Sequence, residues 1–362
     1  GKKVGMIGTT GTVIGDVVTP TLNTTPESYE LHQAFAQMVE AGCEYAVMEV
    51  SSQGIKMHRT DGLYFNYAIF TNISPDHIGP GEHADFEEYL YYKTRLLNMC
   101  GIGLVNKDDK HAPQIIKAAN CELCTYSEES KEADFVASDI RYVSQPDFVG
   151  TEFHISGKYD MEVRLGIPGL FNVVNALAAV SVCSFLGLDQ ARISHALENI
   201  RVNGRMEIVY TSERCTVLVD YAHNAVSMES LLSTLRDYKP KRLVCVFGCG
   251  GNRSKDRRYS MGEIGGKMAD LSIITADNSR YEKVEDIIAD IRGSIEKTGG
   301  KFIEIPDRRE AIRYSILHAQ PGDMVAVIGK GHEDYQEING VRHHFLDREV
   351  IEETVKELGE KA

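Results

Sequence analysis

The second half of the chain constrains the fold more than any other stretch. Short apolar runs at residues 216–219, 242–247, 271–275, 302–305 and 324–328 alternate with helical stretches near 226–235, 259–268, 284–295 and 308–318. Parallel strands need a long crossover between them, so this alternation predicts βαβ units and a doubly wound, Rossmann-like parallel sheet. Ligands of such sheets sit at the carboxyl ends of the strands. The polar motifs fall there: Asp220-Tyr-Ala-His-Asn224, Gly248-Cys-Gly-Gly-Asn-Arg-Ser254, Asp277-Asn-Ser-Arg280 and Gly329-Lys-Gly-His-Glu-Asp334.

The first half is also α/β. Residues 2–8 read as a strand and 9–15 as a hairpin. A helix is expected from Pro26 to about Ala41, with Thr25 as its cap and Gly42 as its stop. Residues 45–50 form a continuous apolar strand of the kind covered on both faces. A strand at 67–71, a helix at 85–99, a strand at 101–106 and a helix at 112–119 follow. Alternation through residues 133–165 suggests an antiparallel meander, and helices are expected from 170 and at 191–200. The polar bend Arg201-Val-Asn-Gly-Arg205 has no hydrophobic period and sets a boundary between domains at 1–201 and 202–362. Two or three domains suit 362 residues.

A formal charge of −14 argues against nucleic-acid or anionic-membrane partners, which are bound by basic surface. No apolar run approaches the ~20 residues of a membrane span, and no segment reads as a signal peptide. Several of the eight cysteines lie in apolar runs, as reduced core thiols of a cytoplasmic protein do. Cys121 and Cys124 form a single CxxC without a second pair, which is poor grounds for zinc.

Glu49, His77 and Lys93 stand at the ends of elements expected to lie side by side in a parallel sheet. Carboxylate and imidazole suit Mg²⁺ and phosphate chemistry. A protonated lysine is a poor metal ligand, and a salt-bridged helix lysine beside a satisfied histidine explains the same residues. Gly248-Cys-Gly-Gly resembles a turn that lets backbone approach an anion, and Arg253, Arg257 and Arg258 follow it. Arg280 suits bidentate capture of a carboxylate. Glu333 suits a substrate ammonium, although a plain polar loop explains it equally well. His332-Glu333 lacks the second histidine of the H-E-x-x-H zinc motif. Asn172 and Asn175 share a helix face and suit either an adenine edge or a capped turn.

Ten motifs occur together and in order: Thr24-Thr-Pro-Glu-Ser28, Met48-Glu-Val-Ser-Ser52, Thr71-Asn-Ile-Ser-Pro-Asp-His77, Tyr92-Lys93, Phe171-Asn-Val-Val-Asn175, Gly204-Arg-Met-Glu207 and the four strand-end motifs above. In this the chain resembles the Mur ligases from its first residues to near its last. The resemblance implies a central ATP-binding domain followed by a C-terminal amino-acid-binding domain. It also implies an ATP-dependent, ADP-forming amide ligase of peptidoglycan precursor synthesis. A carboxylate of UDP-N-acetylmuramoyl-L-Ala-D-Glu would attack the γ-phosphate of ATP, and the amine of a diamino acid would then attack the acyl phosphate. By the same resemblance Glu49, His77 and a carbamylated Lys93 serve Mg²⁺. Thr24, Thr25, Ser52 and Arg59 hold the muramoyl peptide. Asn172, Asn175, Arg205, Asp220 and His223 serve ATP. Arg253, Asn278, Arg280, Gly329 and Glu333 form the amino-acid pocket. Arg280 favours meso-diaminopimelate, whose distal carboxylate lysine lacks. A monomer is expected.

Some positions depart from the family pattern. Ser279 stands for a usual proline, Gln53 for a histidine, Met57 where some relatives carry glutamine, and Ala225 for a proline; Gly79-Pro-Gly-Glu-His83 is an unusual loop. The family's Gly-Thr-Asn-Gly-Lys-Thr phosphate loop and its uridine-nucleotide domain are not in the sequence. Both are expected upstream of Lys2, and lowered stability is expected without that strand–loop–helix unit. Rival expectations are a relative that adds L-lysine or another amine, and a non-catalytic Mur-like binding protein.

Overall fold

The alternation in the second half becomes a six-stranded sheet in the computed structural model, which describes residues 2–359. Strands Cys215–Asp220, Asp323–Ile328, Arg242–Phe247, Leu271–Ile274 and Phe302–Glu304 run parallel in that spatial order. Strand Glu207–Thr211 pairs antiparallel at one edge. Successive residues of a strand face opposite sides, and both sides here are covered. Val217, Val219, Val244, Val246, Val325 and Val327 pack with Ile312, Ile316, Val350 and Ile351. Leu218, Leu243, Cys245, Phe247, Ala326 and Ile328 pack with Leu232, Leu235, Ile288 and Ile291. Two covered faces explain why these strands read as unbroken apolar runs.

By internal contacts the chain forms two units. One holds the residues up to Val136 with Ser156–Tyr159 and Leu177–Leu186. The other holds Ala137–Ile155, Asp160–Ala176 and the chain from Gly187 on. In the second unit, residues 151–155 pair antiparallel with Met161–Leu165, as the expected meander requires. The Tyr238 hydroxyl ties this region down, 3.0 Å from Thr151 Oγ1 and accepting from the Gly169 amide at 3.1 Å.

In the first unit, the hairpin expected within residues 9–15 starts earlier: Val4–Gly8 and Gly11–Ile14 pair across a turn at Thr9-Thr10. Val4–Gly8 also pairs parallel with Tyr45–Met48. Phe65–Phe70 pairs with Cys100–Asn106, which pairs with Glu122–Ser127. Two expectations are corrected here. Tyr45–Met48 and Phe65–Phe70 lie in different sheets and are not neighbours. Tyr45–Met48 is also not covered on both faces: Ile7 packs with Leu31, Ala34 and Met38 and has Met48 against it. Val4 (42%), Met6 (42%) and Val47 (59%) remain exposed on the alternate face. An apolar run reports composition, and only packing reports coverage.

Thr25 does not cap the following helix. Helix Ser28–Glu40 has Glu27 at its N-cap, without a side-chain cap bond. The Thr25 hydroxyl donates to the Glu49 carbonyl and accepts from the Ser51 amide, both at 2.9 Å. Unexpected elements include helix Ser52–Lys56, strands Glu122–Ser127 and Glu207–Thr211, hairpin Tyr335–Ile338 with Val341–His344, and helix Asp347–Glu357. The hairpin turns on Asn339-Gly340, both with φ near the left-handed value, as an Asn-Gly turn does. No helix among the described residues is long and apolar enough to cross a membrane.

One ion pair is fully enclosed. Arg308 Nη2 and Asp347 Oδ2 are 2.7 Å apart with both side chains at 0% exposure. The Arg308 guanidinium also donates to the Ala276 and Ile328 carbonyls at 3.2 and 3.0 Å. Removing one partner strands the other charge in the core, which costs about 3–5 kcal/mol. Asp347→Asn is therefore expected to lower the unfolding free energy by roughly that amount in urea titration. Glu353→Ala, which breaks the half-exposed pair with Arg309, should cost under about 1 kcal/mol.

Candidate functional site

The expected site residues divide between the two units. In the first unit Glu49 closes the end of strand Tyr45–Met48, and its carboxylate turns to Thr9. Thr9 N donates to Oε1 at 3.2 Å and Thr9 Oγ1 to Oε2 at 2.9 Å. The Thr9 hydroxyl is also 3.1 Å from Thr24 Oγ1. Thr9 is thus the link between Glu49 and Thr24, and no motif marked it.

His77 and Lys93 meet across Tyr89. The imidazole lies edge-on to the Tyr89 ring at 5.8 Å, and Lys93 Nζ stands 5.4 Å from the ring centroid. His77 adopts φ +54°, a left-handed conformation that disfavours side chains. Burial pushes the Lys93 amine below its ordinary pKa, opposed by the nearby Asp76 carboxylate. Lys93 therefore holds more neutral amine than an ordinary lysine, the form that carbamylation requires. Among the described residues no three His, Cys, Asp or Glu side chains are grouped to hold a metal. A carboxylate, an imidazole and a carbamylated lysine together make a donor set of the hardness Mg²⁺ takes, with substrate phosphates and water completing it.

Of the residues expected on the muramoyl peptide, Thr25 is fully buried and its hydroxyl is used internally. Arg59 reaches the Glu27 carboxylate at 2.8 Å and the Thr25 carbonyl at 3.3 Å, and its Nε is buried without a partner. Ser52 is buried, with Oγ 2.9 Å from His83 Nε2. His83 is enclosed between the Tyr89 and Tyr92 rings, and its Nδ1 has no hydrogen-bond partner among the described residues. The signal for it lay in the unusual Gly79–His83 loop, which carries this histidine into the site.

The second unit holds two groups. In the first, the buried Asp220 carboxylate accepts from the Met206 amide at 2.8 Å and the Ala222 amide at 2.7 Å. It fixes the loops that carry Arg205 and His223. Burial raises its pKa against the pull of these amides. Arg205 lies over the Tyr221 ring at 4.9 Å, and the rings of His223 and His332 stand 4.7 and 5.6 Å from the same ring. Asn172 donates to the Pro168 carbonyl at 2.7 Å, so it takes the turn-capping role. Asn175 is exposed, and its amide has no partner among the described residues.

The second group joins two strand-end loops. Asn278 Nδ2 donates to Glu333 Oε2 at 3.0 Å. Lys330, buried and unmarked by the sequence reading, donates to the same oxygen at 3.2 Å, to Asn278 Oδ1 at 3.4 Å and to the Tyr335 carbonyl. Gly329 has φ +114°, and a Cβ there would stand 2.7 Å from Asp277 Oδ2, so only glycine fits the turn. Arg280 also has φ +52°, and its Nη1 donates to the Gly251 carbonyl at 2.7 Å. Arg253 is exposed with no ion-pair partner among the described residues. Arg258 is buried and paired with Glu282 and Asp290, so it supports the fold and is not open to a ligand. Cys124 is buried 3.2 Å from Lys158 Nζ.

Polar strand-end loops, cationic side chains without ion-pair partners among the described residues, and a lysine whose amine burial holds below its ordinary pKa suit an α/β enzyme that handles anionic substrates. Residues 1–183 match the Mur ligase middle domain, and residues 204–331 match the Mur ligase glutamate ligase domain. The chain belongs to the Mur ligase family. It is 40% identical, over 98% of its length and 73% of the relative's, to the UDP-N-acetylmuramoyl-L-alanyl-D-glutamate--2,6-diaminopimelate ligase of Caldanaerobacter subterraneus subsp. tengcongensis. It is 38% identical to the ligase of the same name from Clostridioides difficile, over 99% and 74%. A solved structure of a ligase of that name superposes with a TM-score of 0.79 at 33% identity, covering 99% of this chain and 74% of the other.

The enclosed His83 gives the first unit a pH signature. Burial, then the Lys56 ammonium, lowers its pKa below the ordinary 6.5; the Glu88 carboxylate opposes this, the His77 ring adds to it, and Glu82 opposes it. The unfolded chain then binds the proton more readily than the folded one, so stability is retained above pH 6.5 and falls as pH drops below it. Chemical denaturation across that window should show a shallower acid-side loss in His83→Gln than in the parent protein.

Proposed function

We propose that this chain carries out the reaction of the diaminopimelate-adding Mur ligases. ATP activates the free carboxylate of UDP-N-acetylmuramoyl-L-Ala-D-Glu, and the amine of meso-diaminopimelate takes the acyl group. Attack of the carboxylate oxygen on the γ-phosphorus forms the acyl phosphate and releases ADP. Attack of the amine on the acyl carbon then forms the amide and releases phosphate and a proton. The observation that carries this reading is the cluster of Asn278, Lys330 and Glu333. It holds two strand-end loops together and leaves Arg253 and Arg280 beside them to receive carboxylate.

Thr24, Ser52 and Arg59 orient the muramoyl peptide, with Thr25 as the pin that holds their loop to Glu49. Asn175 and Arg205 contact ATP, and Asp220 holds the Arg205 and His223 loops in place. Arg253, Arg280, Asn278 and Glu333 bind the diamino acid, over the tight turn that Gly329 permits. Glu49, His77 and carbamylated Lys93 are the residues that would hold Mg²⁺. When bound, that ion supplies charge neutralisation at the phosphates. We take residues 1–201 and 202–362 as the two functional domains, working in the cytoplasm, where nucleotide-linked precursors and ATP are found.

Phosphate release that requires both the muramoyl dipeptide and meso-diaminopimelate tests the assignment. Arg280→Ala is expected to lower kcat/KM for meso-diaminopimelate by about 100-fold or more, because a carboxylate loses its charged partner. Release that proceeds with L-lysine and not with diaminopimelate would refute the assignment. A ¹³C-bicarbonate-derived carbamate resonance, absent in Lys93→Ala, tests the modified lysine without depending on turnover.

A further inference from the structure

Helix Asp347–Glu357 opens with two charged residues, and the fold uses them in different directions. Asp347 takes the enclosed Arg308. Arg348 turns to the edge strand Glu207–Thr211, where its Nη1 donates to Glu207 Oε1 at 2.7 Å. The Glu207 side chain is only 5% exposed, so its carboxylate is spent inside the protein. Its other oxygen accepts from the Gly204 amide at 2.7 Å. Arg348 also donates through Nε to Glu352 Oε1 at 2.7 Å, which fixes the guanidinium along its own helix.

The turn held in this way carries Arg205. Gly204 has φ +66°, and a Cβ there would stand 2.2 Å from the His332 amide nitrogen. Met206 has φ +43° although it is not glycine. Two left-handed residues therefore flank Arg205, and such a backbone persists only where its surroundings impose it. Carboxylates impose it from both sides: Asp220 takes the Met206 amide and Glu207 the Gly204 amide. Asp220 ends an interior strand of the sheet, whereas Glu207 lies on the edge and takes its cation from the last helix. The Arg205 guanidinium is exposed and meets the Tyr221 ring, with no hydrogen-bond partner among the described residues. Its aim is thus set by the backbone turn. Without Arg348 the buried Glu207 carboxylate would lose its counter-charge and turn toward water, releasing the Gly204 amide. We infer that Arg348 is a positioning residue for ATP binding: it holds Glu207 against the turn at residues 204–206 and so keeps Arg205 directed at the nucleotide. This rests on the reading that Arg205 contacts ATP.

In the full chain, Arg348→Ala is expected to raise the KM for ATP about 10-fold, the usual effect of losing one charged hydrogen bond. It should leave kcat and the KM values for the muramoyl dipeptide and meso-diaminopimelate little changed. Arg348→Lys, which keeps the charge, should recover most of the loss. Arg205→Ala is expected to raise the KM for ATP as well. Adding Arg348→Ala to it should raise that KM little further, because two residues that act through one contact are not additive. An unchanged KM for ATP in Arg348→Ala overturns the role, as does an equal rise for all three substrates or a full second rise on top of Arg205→Ala. An unchanged KM for ATP in Arg205→Ala overturns the ATP reading itself and the role with it. Amide hydrogen exchange gives a readout that needs no turnover. Arg348→Ala should speed exchange at Gly204 about 10-fold while strand Asp323–Ile328 stays protected, and unchanged exchange at Gly204 overturns the role. If Arg348→Ala does not fold, Glu207→Gln, which keeps the size and loses the charge, is judged by the same outcomes.

Discussion

The enclosed pair of Arg308 and Asp347 fixes the geometry on which the second unit's site depends. Its guanidinium joins the carbonyl of Ala276, just before the Asp277–Arg280 loop, to that of Ile328, just before the Gly329–Glu333 loop. The carboxylate comes from the last helix, Asp347–Glu357. Two loops that must present polar groups to solvent are thus anchored from below by one buried charge. An apolar side chain could fill that space but could not bond both carbonyls. Satisfying those carbonyls in the interior is what makes the buried charge tolerable.

Above that anchor the site tolerates local strain. Arg280 and His77 take left-handed backbone conformations without being glycine, each at a cost of about 1–2 kcal/mol. In both cases neighbours hold the conformation. Glu337 and the turn residue Asn339 clasp Arg280 through backbone hydrogen bonds on both sides. His77 is held through its carbonyl, which accepts from the His83 amide at 3.0 Å, and through its ring against Tyr89. Strain at residues expected to hold metal or substrate fits a site built to aim side chains at ligands.

Much of this was legible in order and type. The doubly wound sheet followed from alternating apolar runs because both of its faces are covered, and strands covered on both faces must be continuously apolar. A hairpin near residues 9–15 followed from turn and β-branched residues, although its first strand lies earlier, and the meander before residue 165 followed from period-two patterning. The placement of Tyr45–Met48 beside Phe65–Phe70 failed because strand order is set by which crossovers pack, and apolar runs do not encode that. The hairpin at Asn339-Gly340 was missed although Asn-Gly is a strong turn signal, since its strands are polar and exposed. At the site, Thr25 and Asn172 carried the residue types of ligand contacts, yet each side chain closes an internal hydrogen bond. Sequence shows what a hydroxyl or an amide can bond and not whether the fold has already used it.

By itself the sequence determined the family, the α/β class and the motif residues, since ordered motifs and apolar periodicity are properties of the chain alone. Only the tertiary structure decided that Thr9 links Glu49 to Thr24, that Tyr89 stands between His77 and Lys93, and that Lys330 binds Asn278 to Glu333. It also decided that Arg280 is met by Glu337, 57 residues further on, across a hairpin. Such pairings depend on which backbone segments the packed sheet and the buried Arg308 bring within a few ångströms. That distance has no counterpart in sequence spacing.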